Sequence, residues 1–332
     1  MKLCIDAGGT SIRLALVNED HHIIVKKKYS ISSFDGGEVG FLAAIDAFLQ
    51  DVKDIGEPAH IEELIASVSG PVRNGKVQFT NIDWQVSESM VYDNFKTVLS
   101  PTATVTLIND FEALAYGLAA LEAESTVSVY AREGYGDTRI VCGPGTGLGL
   151  AALKEKNGRL VVIPSEGGHQ CFPVETSTER EIREYIMEDW VSYEHILSGQ
   201  GLQLLFSFFC QKTNVQYVTE QSPEEIIGLY KSGNVAAKKA LEAFAYSLGA
   251  FCGNMVLALG ATGGVYLWGG ILKSFPPEML KNNMVRRFQQ RGRAAGYLAD
   301  VPVYKIVSNE VALRGCSIYS AEIKRLQESK SN

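Results

Sequence analysis

The sequence predicts an α/β fold built from two similar halves, and three observations carry that prediction. Apolar, strand-like runs alternate with helix-spaced segments along all 332 residues. Leu3 to Val17 reads as a short apolar strand, a tight glycine turn and an alternating returning strand. The middle of the chain repeats this: Ile140-Val141-Cys142, the turn Gly143 to Gly149, then Leu150 to Leu153. Laid on the opening, Thr146 falls on Thr10, Gly145 on Gly9, Leu150 on Leu14 and Leu153 on Val17. This is one internal duplication, not a solenoid period.

Taken in order, the opening hairpin is followed by a turn at Asn18-Glu19-Asp20 and a third strand from His21 to Ser30. Leu42, Ile45, Phe48, Leu49 and Val52 have helical spacing, so Phe41 to Val52 is a helix. Leu64 to Val68 is a strand that Ser69-Gly70-Pro71 stops. Ser87 to Leu99 reads as a helix and Thr104 to Ile108 as a strand, with Asn109-Asp110 directly before a helix over Phe111 to Leu121. Asp110 therefore sits where a strand ends and a helix begins, a place where ligands collect in open α/β sheets. After the repeated hairpin, Leu160 to Ile163 is a strand. Thr178 and Glu181 have capping-box spacing before Ile182 to Met187. Ser192 starts a short helix ending at Gly199, and Leu202 to Cys210 is apolar almost all round. Ser222-Pro223-Glu224-Glu225 combines a cap, a first-turn proline and a box glutamate. Asn234 starts a long helix to Leu259, with Gly249 and Gly253 as close-packing points. Val265 to Trp268 and Val303 to Val307 are strands, and Val311 to Leu326 is the last helix.

Hydrophobic residues are 46% and charged residues 21%, an ordinary globular balance. A net charge of −7 argues against wholesale nucleic-acid binding, and Lys26-Lys27-Lys28 reads as a solvated strand edge. Six cysteines without a CxxC pair read as buried thiols in a reducing compartment, neither a disulfide frame nor a zinc site. No apolar run reads as a membrane span. The longest, Val235 to Leu259, is interrupted by Lys238, Lys239, Glu242 and Asn254. With no leader read ahead of the first strand, the expectation is a cytoplasmic protein without a membrane or nucleic-acid partner.

Four glycine-rich or acidic turns stand out in sequence: Asp6-Ala7-Gly8-Gly9-Thr10-Ser11, Asn109-Asp110, Gly143 to Gly149, and Gly269-Gly270. Paired glycines let a backbone approach a ligand and aim its N–H groups at it. Asp6 adds a carboxylate and Thr10 a hydroxyl, which suits a polyphosphate with its metal. An ordinary Gly-Gly hairpin with Asp6 capping the turn has the same local pattern. Two such hairpins in two halves point to a nucleotide held between them.

The order and spacing of these turns resemble the sugar kinases of the hexokinase–actin–heat-shock chaperone superfamily. Finer matches resemble the bacterial glucokinase family: Ser69-Gly70-Pro71, Thr80-Asn81 with Trp84, Asn109-Asp110-Phe111, Gly145-Thr146-Gly147-Leu148-Gly149, Glu166-Gly167-Gly168-His169, Glu194 with Leu197-Ser198-Gly199, and Gly269-Gly270-Ile271. The cysteine-rich zinc signature of the related repressor–kinase family is missing. The resemblance implies a two-domain actin-like ATPase/hexokinase fold, with duplicated mixed-sheet α/β domains around an active-site cleft. The domains expected are 1–109 plus 310–332, and 110–309. It implies ATP, Mg²⁺ and glucose phosphorylated at its 6-hydroxyl in glycolysis, by a homodimer that closes on its sugar.

On that resemblance Asp110 is the general base, although a carboxylate there also suits a helix cap. Asn81, Asn109, Asp110, Glu166, His169 and Glu194 are the sugar-binding candidates, since carboxylates and amides match a hexose's donors and acceptors. Asp6, Ala7, Gly8, Gly9, Thr10, Ser11, Gly145, Thr146, Gly147, Gly269 and Gly270 are the nucleotide-binding candidates, with Asp6 reaching Mg²⁺ through water. Cys142 stands where Asp6 falls in the repeat and Pro144 removes a donor, so the two turns are not equivalent.

Overall fold

The computed structural model describes residues 1–34, 36–54, 60–80, 82–216 and 221–331. By packing, the chain divides into two units. The first comprises Met1–Glu122, Lys156–Pro164 and Ser308–Asn332, and the second Ala123–Glu155 and Ser165–Val307. The sequence places this division at Asn109. The segment from Asp110 to Glu122 instead goes with the first unit, because its helix packs on the last helix of the chain.

The first unit contains β1 (Lys2–Ala7), β2 (Ser11–Val17), β3 (Ile23–Ser30), β4 (Ile61–Val68), the two short strands β5 (Lys76–Gln78) and β6 (Gln85–Ser87), and β7 (Leu99–Asn109). Five of these form a sheet in the order β3-β2-β1-β4-β7. β1 pairs antiparallel with β2 and parallel with β4, which is parallel to β7. β1 and β4 are buried almost throughout, as expected of strands covered on both faces. Edge strand β3 carries the three lysines, with Lys26 on Glu310 and Lys27 on Asp51. α1 (Gly37–Asp54) covers one face through Phe41, Ile45, Phe48 and Val52. Trp84 packs edge-on against both Phe41 and Phe79. α2 (Glu88–Phe95) is shorter than the sequence suggests, and its cap is Ser87, whose hydroxyl accepts from Met90 N–H.

α3 (Asp110–Gly117) and the C-terminal helix Val311–Ser331 cross at glycines. A Cβ on Gly117 would fall on the Val311 carbonyl, and one on Gly315 on the Ala113 carbonyl. Only glycine allows backbones to approach so closely. The C-terminal helix also returns to the sheet: buried Lys2 donates to the Ser317 carbonyl at 3.2 Å. On β4, the buried Glu63 carboxylate accepts from the Ser320 hydroxyl and pairs with Lys324 of that helix.

Burial alone would raise the Glu63 pKa. Hydrogen bonds from Lys324 and Ser320, with the charge of Lys2, outweigh burial and hold it below the usual 4.5. A depressed carboxylate pKa contributes stability above the unfolded value and loses it as pH falls through the folded value. Glu63→Gln is therefore expected to cost about 1–3 kcal/mol at pH 7. That deficit should shrink as pH drops below about 4.5. Thermal unfolding at pH 7 and pH 3.5, wild type against variant, checks this.

The second unit contains β8 (Thr126–Tyr130), β9 (Thr138–Pro144), β10 (Leu148–Lys156), β12 (Gly264–Leu267) and β13 (Val303–Ile306). Between β10 and β12 in the chain comes β11 (Arg159–Ser165), most of which groups with the first unit. The neighbours run β10-β9-β12-β13-β8. Again an antiparallel hairpin, β9/β10, lies beside a parallel strand, β12. The helices are α4 (Ser177–Ile186), α5 (Gly199–Thr213), α6 (Pro223–Lys231) and α7 (Val235–Leu259), followed by short pieces between Gly270 and Leu298. α6 and α7 begin at Ser222 and Asn234 as the sequence indicates. A Cβ on Gly249 of α7 would strike the Met284 carbonyl, and one on Gly253 the Arg291 guanidinium, so both are the close-packing points expected.

Further expectations change in this unit. The capping box of α4 is Thr176 with Glu179, not Thr178 with Glu181, because Glu179 is buried beside Arg287. Ser192 to Ser198 forms turns rather than a helix, and Ser198 instead caps α5 through its hydroxyl and Gly201 N–H at 3.0 Å. α7 is long and apolar enough by length and composition to cross a bilayer, but 72% of its most apolar window is buried inside the unit, where it is the core helix. Five cysteines are buried as expected, whereas Cys171 is exposed.

Candidate active site

In the first unit, strand register brings the acidic and glycine turns to one edge. Ala7 lies opposite Val68, and Val68 opposite Asn109. β1, β4 and β7 are parallel and end level, so Gly8 to Ser11, Ser69-Gly70-Pro71 and Asp110 all emerge at the C-terminal edge. Strands lie about 4.8 Å apart, which puts Ala7 and Asn109 about 10 Å apart.

The opening turn is closed by Gly8 N–H on the Ser11 carbonyl and Ile31 N–H on the Thr10 carbonyl, both at 3.1 Å. Ala7 ends β1 and buried Ser11 begins β2, while Gly9 and Thr10 form the more exposed tip. Asp6 faces Arg13 across the hairpin, and Arg13 Nη1 donates to Asp6 Oδ2 at 2.8 Å. The arginine fixes which way the carboxylate points. Among the described residues no three His, Cys, Asp or Glu side chains group as a metal cage. One oriented carboxylate at a glycine turn is a donor set that would suit a Mg²⁺ keeping most of its waters.

Asn109 is the cap of α3. Its Oδ1 accepts Phe111 N–H at 2.9 Å and its Nδ2 donates to the Gly70 carbonyl at 3.2 Å. Each amide atom keeps one further hydrogen-bonding direction. Asp110 is the first helical residue, with Oδ1 2.9 Å from Phe111 N. Capping thus falls chiefly on Asn109, and Asp110 stands at a helix N-terminus, where negative charge is favoured. Two residues on, burial raises the pKa of Glu112 against a lowering hydrogen bond from the Asn109 backbone.

In the second unit, β9 and β12 carry the repeated turn and the Gly-Gly pair to one place. Trp268 N–H donates to the Cys142 carbonyl at 2.9 Å. Gly269, with φ +138°, would drive a Cβ into the Pro144 carbonyl, whereas Gly270 faces open space. Gly145, Thr146, Gly147, Gly269 and Gly270 are thereby collected. Thr146 is exposed at the tip of its turn. Cys142 is fully buried, its Sγ 3.6 Å from Cys252 Sγ on α7, so it offers the turn no ligand. The two hairpins do not share one offset. Six residues separate Asp6 from its partner Arg13, and seven separate Cys142 from Leu150. The second turn is one residue longer, so Leu150 matches Arg13 rather than Leu14 when Cys142 is laid on Asp6.

Glu166, His169 and Glu194 come together. His169 Nε2 lies 3.9 Å from Glu166 Oε2, and its Nδ1 3.8 Å from Glu194 Oε1. Glu194 Oε2 accepts Leu148 N–H at 2.8 Å, at the end of the second glycine turn. A Cβ on Gly147 would come within 2.6 Å of that same oxygen, so glycine is what lets the carboxylate reach the turn. Gly199 N–H on the Gly145 carbonyl at 2.8 Å ties the start of α5 to the turn as well. Beside Thr146 opens a cavity of about 260 Å³ lined by Glu188, Glu194, His195, Ser198 and Gln200. Ser192 N–H donates to His195 Nδ1 at 3.1 Å, and His195 Nε2 lies 3.0 Å from the Glu188 carboxylate. His195 braces the loop that presents Glu194. Behind it, buried Tyr193 accepts from Asn254 at 2.8 Å, and burial chiefly pushes its pKa up to about 12.

Asn81 lies outside the described residues. Sequence reasoning missed Arg13, whose signal was its position across the opening hairpin from Asp6. It also missed Trp190, an exposed aromatic whose indole N–H points at the His169 carbonyl, 3.4 Å away.

Comparison with known proteins gives a consistent picture. The family model described as glucokinase matches residues 3–323. The chain is 32% identical over 312 residues to a glucokinase of Chromohalobacter salexigens, covering 91% of this chain and 92% of that one. It is 31% identical over 327 residues to a bifunctional protein glk of Burkholderia thailandensis, covering 97% of this chain and 48% of that one. The chain thus spans about half the length of the bifunctional relatives it matches. The solved structure of a glucokinase from an Antarctic psychrotroph superposes with a TM-score of 0.80 at 27% identity, covering 96% of this chain and 98% of that one.

Proposed function

The chain belongs to the glucokinase family, and from that premise we propose that it transfers the γ-phosphoryl group of ATP to the 6-hydroxyl of glucose, giving glucose 6-phosphate and ADP. The observation that carries this reading is Glu194. One oxygen of its carboxylate holds the second glycine turn, and the other faces His169 of the sugar-type cluster.

Phosphoryl transfer to an alcohol needs positioning, charge neutralisation and a proton acceptor. Asp110 is the acceptor: it takes the 6-hydroxyl proton as that oxygen bonds to the γ-phosphorus and the bond to the ADP oxygen breaks. Glu166, His169 and Glu194 hold sugar hydroxyls in the second unit, and Asn109 and Asn81 do so in the first. Backbone N–H groups of the Asp6–Ser11 and Gly145–Gly147 turns take the phosphates, and Gly269-Gly270 lets the adenosine lie against the backbone. Mg²⁺, when bound, neutralises phosphate charge, and Asp6 is the residue that would hold it through water. A homodimer working in the cytoplasm and feeding glycolysis completes the proposal, on the family resemblance.

A coupled assay of ADP release, run with glucose, mannose, fructose, N-acetylglucosamine or no sugar, tests the function. Turnover that depends on glucose is expected. ATP hydrolysis indifferent to sugar, or no turnover with any hexose, overturns the proposal.

A further inference from the structure

We propose that Trp190 is the apolar platform on which the face of the acceptor sugar ring lies, a specificity-determining contact that rests on the glucokinase reading above. Of the three tryptophans, Trp84 is 1% exposed and Trp268 half-buried, whereas Trp190 is 60% exposed. An indole whose N–H is held at a site keeps an apolar ring face that a ligand can lie against.

Its position is fixed. Phe172 N–H bonds to the Val191 carbonyl at 2.8 Å, and Tyr193 and Glu194 N–H groups bond to the Gln170 and Gly168 carbonyls at 3.0 Å. Val191 and Tyr193 are buried below this small ladder and hold it down. Glu188, two residues before Trp190, is held by His195. The indole N–H, aimed at the His169 carbonyl, settles the ring beside the residue whose imidazole stands between Glu166 and Glu194.

A glucopyranose ring is two-sided chemistry. Its hydroxyls project around the rim, and its C–H groups occupy the faces. Glu166, His169 and Glu194 match the rim. They offer nothing to a face, and an indole does. Trp190 is the aromatic held at this cluster. The sugar class it selects is a pyranose with equatorial hydroxyls, whose flat C–H face can lie on the ring.

The test uses the full chain with Trp190→Phe and Trp190→Ala. Glucose added without nucleotide is expected to change the tryptophan emission of the wild type, and that change should vanish in Trp190→Phe. Trp190→Ala should raise the glucose KM about ten-fold, with kcat, the ATP KM and the Tm unchanged. Trp190→Phe, which keeps an aromatic face, should stay within about three-fold of wild type. A glucose KM for folded Trp190→Ala within about two-fold of wild type, or a full glucose signal persisting in Trp190→Phe, overturns the platform. If the wild type neither turns over nor responds to glucose, the glucokinase reading itself has failed. If the wild type turns over normally and only the variants refuse to differ, the platform alone has failed.

Discussion

Asp110→Asn is expected to lower kcat by about two to four orders of magnitude while leaving the fold and glucose binding in place. The amide is isosteric and keeps an oxygen for Phe111 N–H. The cap of α3 is chiefly Asn109, which the substitution does not touch. What disappears is the proposed proton acceptor, since an amide cannot take the 6-hydroxyl proton at neutral pH. The loss should therefore fall on kcat and spare the glucose KM, the pattern of an interaction made in the transition state. Unchanged melting and unchanged binding of glucose, measured by titration calorimetry, separate this from unfolding. Turnover within ten-fold of wild type would remove Asp110 as the base.

Gly143→Ala should be the most destructive small change in the second unit. A methyl there would land on the Trp268 carbonyl oxygen and 2.5 Å from its carbon. Both are backbone atoms of the segment joining β12 to Gly269, so no side-chain rotation relieves the overlap. The strands must part, breaking the Trp268–Cys142 hydrogen bond. A loss of about 3 kcal/mol or more is expected, together with loss of nucleotide binding, because two of the collected turns separate. Gly145→Ala is the control. It sits two residues away in the same turn, and a Cβ there meets nothing within 4 Å, so stability should hold to within about 1 kcal/mol. Urea unfolding of the two variants checks the contrast; equal losses would show that the close approach at Gly143 does not matter.

Much of this was legible in the sequence, and for physical reasons. Caps and glycines are local signals, so the Ser222 box before α6 and the run from Asn234 to Leu259 could be read directly. The positions of Asn109-Asp110 and the two glycine turns at strand ends were legible because apolar runs stop abruptly there. What failed was what depends on tertiary choice. Thr176-x-x-Glu179 and Thr178-x-x-Glu181 both have box spacing, and burial of Glu179 against Arg287 decides between them. β5 and β6 are three residues each, too short to show a period. Glu166, His169 and Glu194 were grouped only on the family resemblance, and the structure brings them together by joining segments some 25 residues apart through the ladder of residues 168–172 and 191–194. Arg13 was hidden for a related reason: its role comes from the residue opposite it, and pairing is invisible to a linear reading.

The crossing of α3 with the C-terminal helix has a consequence for the order in which the protein is made. The helix that begins with Asp110 is clasped, glycine to backbone, by residues synthesised about 200 positions later. On the ribosome, where segments fold largely in the order they emerge, the first sheet is built early but stays uncovered on that side. The whole second unit, with its own β9/β10 hairpin and α7, can be assembled in the meantime. Only when Val311 to Ser331 has emerged does α3 gain the partner against which Ala113 and Gly117 pack. Asp110, the base proposed above, is among the first third of the residues to be made, and the helix it begins is among the last elements to gain its partner.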